Sequence, residues 1–115
     1  MLTDEQIAKR LEQLVDDKYI AQSAIVTAWE ELEQAKRNTE KTEASIKISL
    51  KTEDAKITVD MLNSKVLQSP EYETAIANEI TAEANYKCSQ IEFNRLVDEF
   101  EMLKTQSYMS GKMLV

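Results

Sequence analysis

Carboxylates are the most frequent groups with chemical potential in this 115-residue chain, and several stand close together. Pairs occur at Asp16-Asp17, at Glu30-Glu31, and at Glu99 with Glu101. Two carboxylates serve as general acid and base only where burial separates their pKa values, and the placement of these pairs favours exposed helix faces. The chain has no histidine, which excludes triads and all other imidazole-based catalysis. We therefore expect no catalytic residue and no enzyme activity.

Metal and cofactor chemistry finds no support in the sequence either. A helical di-metal site needs Glu-x-x-His motifs, and a calcium loop needs a central glycine. The chain has no histidine and one glycine, which also excludes phosphate-binding loops and dinucleotide fingerprints. Cys88, the single cysteine, has Lys87 as its one basic neighbour and is expected to pack in the core as a small apolar residue. We predict no metal and no cofactor.

The composition indicates one all-α domain over residues 1–115. One glycine and one proline leave almost no material for tight turns, which excludes sandwiches and barrels. No apolar run reaches the roughly 18 residues that span a bilayer, and the acidic start over residues 1–6 does not resemble a secretory signal. A single cysteine also fits a reducing compartment. We expect a soluble, cytoplasmic protein with no membrane partner.

Start and stop signals divide the chain into two long helices. Thr3 and Gln6 have the spacing of a capping box, which predicts a helix start at about residue 4. The seven-residue apolar repeat ends near residue 50, so the first helix should cover about 4–51. Ser69-Pro70-Glu71 predicts a second start, and Gly111 predicts a stop after Tyr108 or Met109. The second helix should therefore cover about 70–109, with residues 110–115 as a frayed tail.

The connector over residues 52–68 allows two interpretations. The preferred one is a bend near 52–56 followed by a short helix over 59–67 that Thr58 caps. The alternative is a β-hairpin over 44–62, because apolar and polar residues alternate there. With the short helix, the fold is an antiparallel, coiled-coil-like hairpin.

The two long helices carry more apolar surface than one hairpin seam can bury. Six seam residues should hold the fold: Leu11, Ile25, Leu32, Tyr86, Phe93 and Phe100. Further apolar residues lie off this seam, at Val15, Tyr19, Ile20, Val26 and Trp29 on the first helix and at Ala77, Ile80, Ala84, Cys88 and Ile91 on the second. Self-association would cover this surplus, with Trp29, Ile80 and Ile91 as interface candidates; a compact three-helix bundle is the alternative.

The net charge of −7 opens two further hypotheses. The second helix displays Glu79, Glu83, Glu92 and Glu99, which could mimic nucleic acid and inhibit a host or defence enzyme that binds it. The alternative to this mimicry is that the glutamates form an acidic helix face that is solvated and binds no partner. A third hypothesis is an accessory role in recombination or single-strand DNA handling. The overall negative charge argues against direct binding of nucleic acid. The one segment where such binding could occur contains Lys47, Lys51, Lys56 and Lys65.

Short motifs distributed over most of the chain carry a resemblance. They are RLEQLV at 10–15, AWEELEQAK at 28–36, KITV at 56–59, PEY at 70–72, EANY at 83–86 and KML at 112–114. In these motifs the chain resembles small, mostly uncharacterised helical-hairpin accessory proteins of tailed bacteriophages, often encoded among genes for recombination. The resemblance implies a phage accessory protein of the host cytoplasm. Together with the residue patterns, it predicts a non-enzymatic helical interaction protein that self-associates and acts by binding another protein.

Overall fold

A computed structural model describes residues 2–114 of the chain, with side chains up to residue 109. The described chain forms three helices, α1 (Asp4–Glu53), α2 (Val59–Leu67) and α3 (Pro70–Leu114), and these residues contain no strand. The two long helices pack together. The all-α fold is therefore confirmed. The β-hairpin alternative over 44–62 is not supported, because residues 44–53 and 59–62 are helical.

Local side-chain bonds explain where α1 begins and ends. The Thr3 amide donates to Gln6 Oε1 at 2.9 Å, and the Gln6 amide donates to Thr3 Oγ1 at 3.2 Å, so the predicted capping box is present. The helix ends at Glu53, two residues beyond the predicted end. Immediately after it, the Lys56 amide donates to Asp54 Oδ1 at 3.0 Å, and this turn redirects the chain.

The predicted short helix is confirmed. The Thr58 backbone is extended, with φ −75° and ψ 157°, and its hydroxyl accepts from the Met61 amide, so Thr58 caps α2 (Val59–Leu67). The start of α3 at Pro70 is also confirmed. There the Ser69 hydroxyl donates to a Glu71 carboxylate oxygen at 2.7 Å instead of accepting from a backbone amide.

The predicted end of α3 is wrong. We expected Gly111 to stop the helix after Tyr108 or Met109, yet α3 continues through this glycine to Leu114. A glycine ends a helix by adopting a positive φ, and no glycine in the described chain does so. Within a helix, a glycine costs only about 1 kcal/mol relative to alanine. The expected tail over 110–115 is thus helical as far as Leu114, and Val115 lies outside the described residues.

The described residues divide into two compact units, 2–27 with 87–114 (unit 1) and 28–86 (unit 2). Residues spaced by seven form the core of unit 1, because that spacing returns to the same helix face. Leu14 and Leu103 are 0% and 2% exposed at its centre. The cluster contains Ile7, Leu14, Ala21, Leu96 and Leu103, with Leu11, Phe93 and Phe100 packed against it while partly exposed.

Unit 2 has its own small core, to which all three helices contribute. Its buried apolar residues are Ala28 and Leu32 of α1, Leu62 and Val66 of α2, and Ala75 of α3. The buried polar residue Thr39 joins them, and its hydroxyl lies 3.1 Å from the Ala35 carbonyl oxygen and 3.4 Å from the Ala75 carbonyl oxygen. The hydroxyl thus links α1 to α3 without leaving a buried donor unpaired.

Candidate interaction surfaces

A forked ion pair in unit 1 joins Arg10 of α1 to Glu99 of α3. Arg10 Nε and Nη2 donate to the two Glu99 oxygens at 2.7 and 2.8 Å, and Arg10 Nη1 lies 3.3 Å from Asp17 Oδ2. The guanidinium hydrogen bond lowers the pKa of Glu99, and the carboxylates raise the pKa of Arg10. A forked pair of this kind fixes the position of two helices, so Glu99 has a structural role on this flank.

Glu92 and Arg95 form a second forked pair, within α3. Arg95 Nη2 and Nε donate to the Glu92 oxygens at 2.6 and 3.1 Å. The Arg95 hydrogen bond lowers the pKa of Glu92, whose charge is therefore balanced one helical turn away. Two of the four glutamates proposed as a nucleic-acid mimic, Glu92 and Glu99, are thus paired with arginines inside the chain.

The other two glutamates of that set lie in unit 2. Glu79 is half-buried on α3, and Glu83 is exposed one turn further along the same helix. Within the part of the chain that the structure describes, no group of three or more carboxylate or cysteine side chains is arranged to hold a metal ion.

The three apolar residues proposed for an interface lie at the surface. Trp29 is 48% exposed and Ile80 is 62% exposed, both in unit 2, and Ile91 is 68% exposed in unit 1. They lie off the helix faces that the described residues bury, which is why their large side chains are accessible. They are available to another molecule.

Ile80 borders an apolar groove in unit 2 that the sequence did not reveal. Its lining residues are Leu67 at the end of α2 and Tyr72, Glu73, Ile76, Ala77 and Ile80 of α3. Leu67 is 64% exposed, whereas Tyr72 and Ile76 are half-buried and form the floor. One signal could have located the groove: α2 buries Leu62 and Val66, and Leu67 faces away from that pair. We call these six residues the α2–α3 groove.

A second apolar surface lies on α1 in unit 1. Val15, Tyr19 and Val26 are 57%, 73% and 53% exposed, and the exposed Gln22 lies between them. Successive members are separated by four, three and four residues, so all four point into an arc of about 60° at 100° per residue. We call Val15, Tyr19, Gln22 and Val26 the α1 stripe.

A second groove in unit 2 combines lysines and hydroxyls with the apolar side chains of Ile46, Leu50 and Pro70. Lys41 of α1 and Lys65 of α2 line it, with hydroxyls from Thr42, Ser45, Ser49 and Ser69. Glu71 lines it too, and the hydrogen bond from Ser69 lowers the pKa of this carboxylate. Of the lysines named for DNA binding, Lys47 pairs with Glu43 at 2.8 Å, and Lys65 lines this groove.

Cys88 corrects one prediction from the sequence. We expected it in the core, but its side chain is exposed. It belongs to the apolar stripe of α3 that also contains Ile91, which lies off the helix face that Leu96 and Leu103 bury. Cys88 is thus accessible to thiol reagents.

Comparison with known proteins finds no family model, no curated protein and no solved structure that matches the chain. Among the described residues, no helix combines the length and the apolar character that crossing a membrane requires.

Proposed function

We propose that this protein is a non-enzymatic helical hairpin that self-associates and acts by binding another protein. Two contacts support the antiparallel, coiled-coil-like arrangement of α1 and α3. Arg10 pairs with Glu99, and Thr39, later in α1, contacts Ala75, which is earlier in α3. Interaction proteins of this kind work through accessible helix faces, and this chain has several.

The observation that carries the proposal is the apolar surface left exposed in unit 2. Leu67, Ile80 and Trp29 are 64%, 62% and 48% exposed. Large apolar side chains grouped on an accessible surface mark sites of protein–protein interaction. Self-association is the simplest way to cover this surface.

The α2–α3 groove is the proposed contact between copies. It joins the exposed Leu67 and Ile80 to the half-buried Tyr72 and Ile76, which gives an apolar centre with a floor already packed against the chain. Apolar anchors seated in such pockets supply most of the binding energy of an interface. Ile80 should therefore be a central residue of the homo-oligomer.

Sedimentation equilibrium of matched variants tests this assignment. Ile80→Asp places a charge in the α2–α3 groove, at a residue that is 62% exposed. Val59→Asp places the same charge outside the groove, at a residue of unit 2 that is 70% exposed. We expect Ile80→Asp to dissociate the oligomer and Val59→Asp to leave it intact, with far-UV circular dichroism unchanged in both. If Ile80→Asp stays oligomeric, the contact between copies lies outside the α2–α3 groove. If the unmodified chain is monomeric, self-association is refuted.

The other hypotheses stay predictions. Inhibition by nucleic-acid mimicry would need displayed carboxylates, and both Glu92 and Glu99 are paired with arginines. The accessory role in DNA handling and the resemblance to phage hairpin proteins likewise stay predictions.

A further inference from the structure

The α1 stripe has the spacing of a coiled-coil seam that lacks its second helix. Val15, Tyr19, Gln22 and Val26 follow one another at intervals of four, three and four residues, the pattern by which one helix packs along another. The buried face of α1 in unit 1 is a different one, formed by Ile7, Leu14 and Ala21. The exposed residues of the stripe are therefore positioned to receive a helix from outside the chain.

Acidic residues border one edge of the stripe. Glu12 and Asp16 are exposed and lie next to the stripe on the helix surface, at about 60° and 100° from Val15. Neither makes a hydrogen bond or ion pair with another residue of the described chain. Their charges are therefore available to a partner.

A lysine of α1 lies on the opposite edge. Lys18 Nζ stands 4.0 Å from the centre of the Phe100 ring, and this cation–π contact holds the side chain there while its single charge remains, against two from Glu12 and Asp16. The stripe thus presents apolar side chains with a net negative border. A second copy that packed stripe against stripe would bring another acidic border, whereas a helix with a basic edge would bring opposite charge.

We propose that the α1 stripe binds an amphipathic helix of a partner protein, with apolar residues in a heptad repeat and lysine or arginine along one edge. This inference rests on the proposed function and adds to it the chemistry of the partner. The apolar seam supplies the affinity, and Glu12 and Asp16 select the basic edge and set the orientation of the bound helix.

Fluorescence anisotropy with two designed peptides tests the proposal on the full-length chain. One peptide of about three heptads carries leucines in the seam and lysines along one edge, and the matched peptide carries glutamates in place of the lysines. We expect the lysine peptide to bind, with an affinity that falls as salt rises, and the glutamate peptide not to bind. Equal binding of both peptides would overturn the selection by charge.

Two neighbouring exposed residues provide the matched variants. Tyr19→Ser removes the most exposed apolar side chain of the stripe, while Ile20→Ser truncates a side chain that is 65% exposed on another face of the same helix. We expect Tyr19→Ser to raise the dissociation constant about tenfold or more and Ile20→Ser to leave it unchanged. The double variant Glu12→Lys with Asp16→Lys should reverse the peptide preference. Equal effects of the two serine variants would overturn the site.

Sedimentation of Tyr19→Ser separates this inference from the proposed function. If Tyr19→Ser dissociates a homo-oligomer that Ile80→Asp leaves intact, a second copy occupies the stripe and the basic helix is ruled out. If the unmodified chain self-associates and binds neither peptide, the inference fails and self-association stands. If it is monomeric and binds neither peptide, both fail.

Discussion

Truncation of Leu14 tests the packing of α1 against α3 most sharply. Leu14 is fully buried in unit 1, beside Leu103, which is 2% exposed. Replacement of such a leucine by alanine removes its buried methyl groups and leaves a cavity, at a cost of about 3–5 kcal/mol. An unfolding entropy of about 2.1 cal/mol/K per residue gives about 0.24 kcal/mol/K for this chain, so Tm should fall by about 12–20 °C.

The assay is urea unfolding followed by far-UV circular dichroism, with thermal unfolding beside it. Protein concentration must be the same for all variants, because self-association makes Tm depend on concentration. Ile20→Ala is the matched control, since Ile20 lies on the same helix and is 65% exposed; its loss should stay within about 0.5 kcal/mol. A loss below about 1 kcal/mol for Leu14→Ala, or equal losses for both variants, would refute the assignment of this core.

Three further predictions concern the polar groups. Thr39→Val removes a buried hydroxyl that contacts carbonyl oxygens of α1 and α3, and urea unfolding should show a loss of about 1 kcal/mol; Thr81→Val, at an exposed hydroxyl bonded within α3, should cost about half of that or less. Arg10 lowers the pKa of Glu99 in the folded chain. The stability that this pair contributes is therefore complete above the pKa that the carboxyl group has in the unfolded chain. It is lost as the pH falls through the lower pKa of the folded chain. The difference in unfolding free energy between the unmodified chain and Glu99→Gln should therefore shrink between neutral pH and about pH 3, and a constant difference would exclude the ion pair as its source. Cys88 is exposed, so a thiol reagent should modify it in the folded protein as fast as after unfolding, and protection in the native state would mean that another surface covers it.

Helix starts were predictable because they depend on neighbouring residues. Thr3 and Thr58 cap their helices through hydroxyls that reach amides three residues on, and Pro70 opens α3. Helix ends were not predictable to the same degree. The apolar repeat fades near residue 50, yet α1 continues to Glu53, and Gly111 stops a helix only where it adopts a positive φ, which no local pattern specifies.

The candidate surfaces were predictable in part. The sequence places Tyr19 and Ile80 off the seam, and the structure leaves both exposed. Contacts between distant residues left no signal, since Arg10 and Glu99 are 89 positions apart. The pairing of Glu99 therefore emerges only when the helices are packed.

The α2–α3 groove and the position of Cys88 show the same limit. Leu67 approaches Tyr72 only because α2 buries Leu62 and Val66 and turns Leu67 outward. Cys88 lies on an apolar stripe that a sequence cannot distinguish from a core face, and the packing of Leu96 and Leu103 decides that it is exposed.

Self-association through exposed helix faces is tested by sedimentation equilibrium of the unmodified chain over a wide range of concentrations at low and high salt. We expect a mass of two or more times 13.2 kDa that persists at high salt, because apolar surface holds the copies together. A mass of 13.2 kDa at every concentration would contradict it.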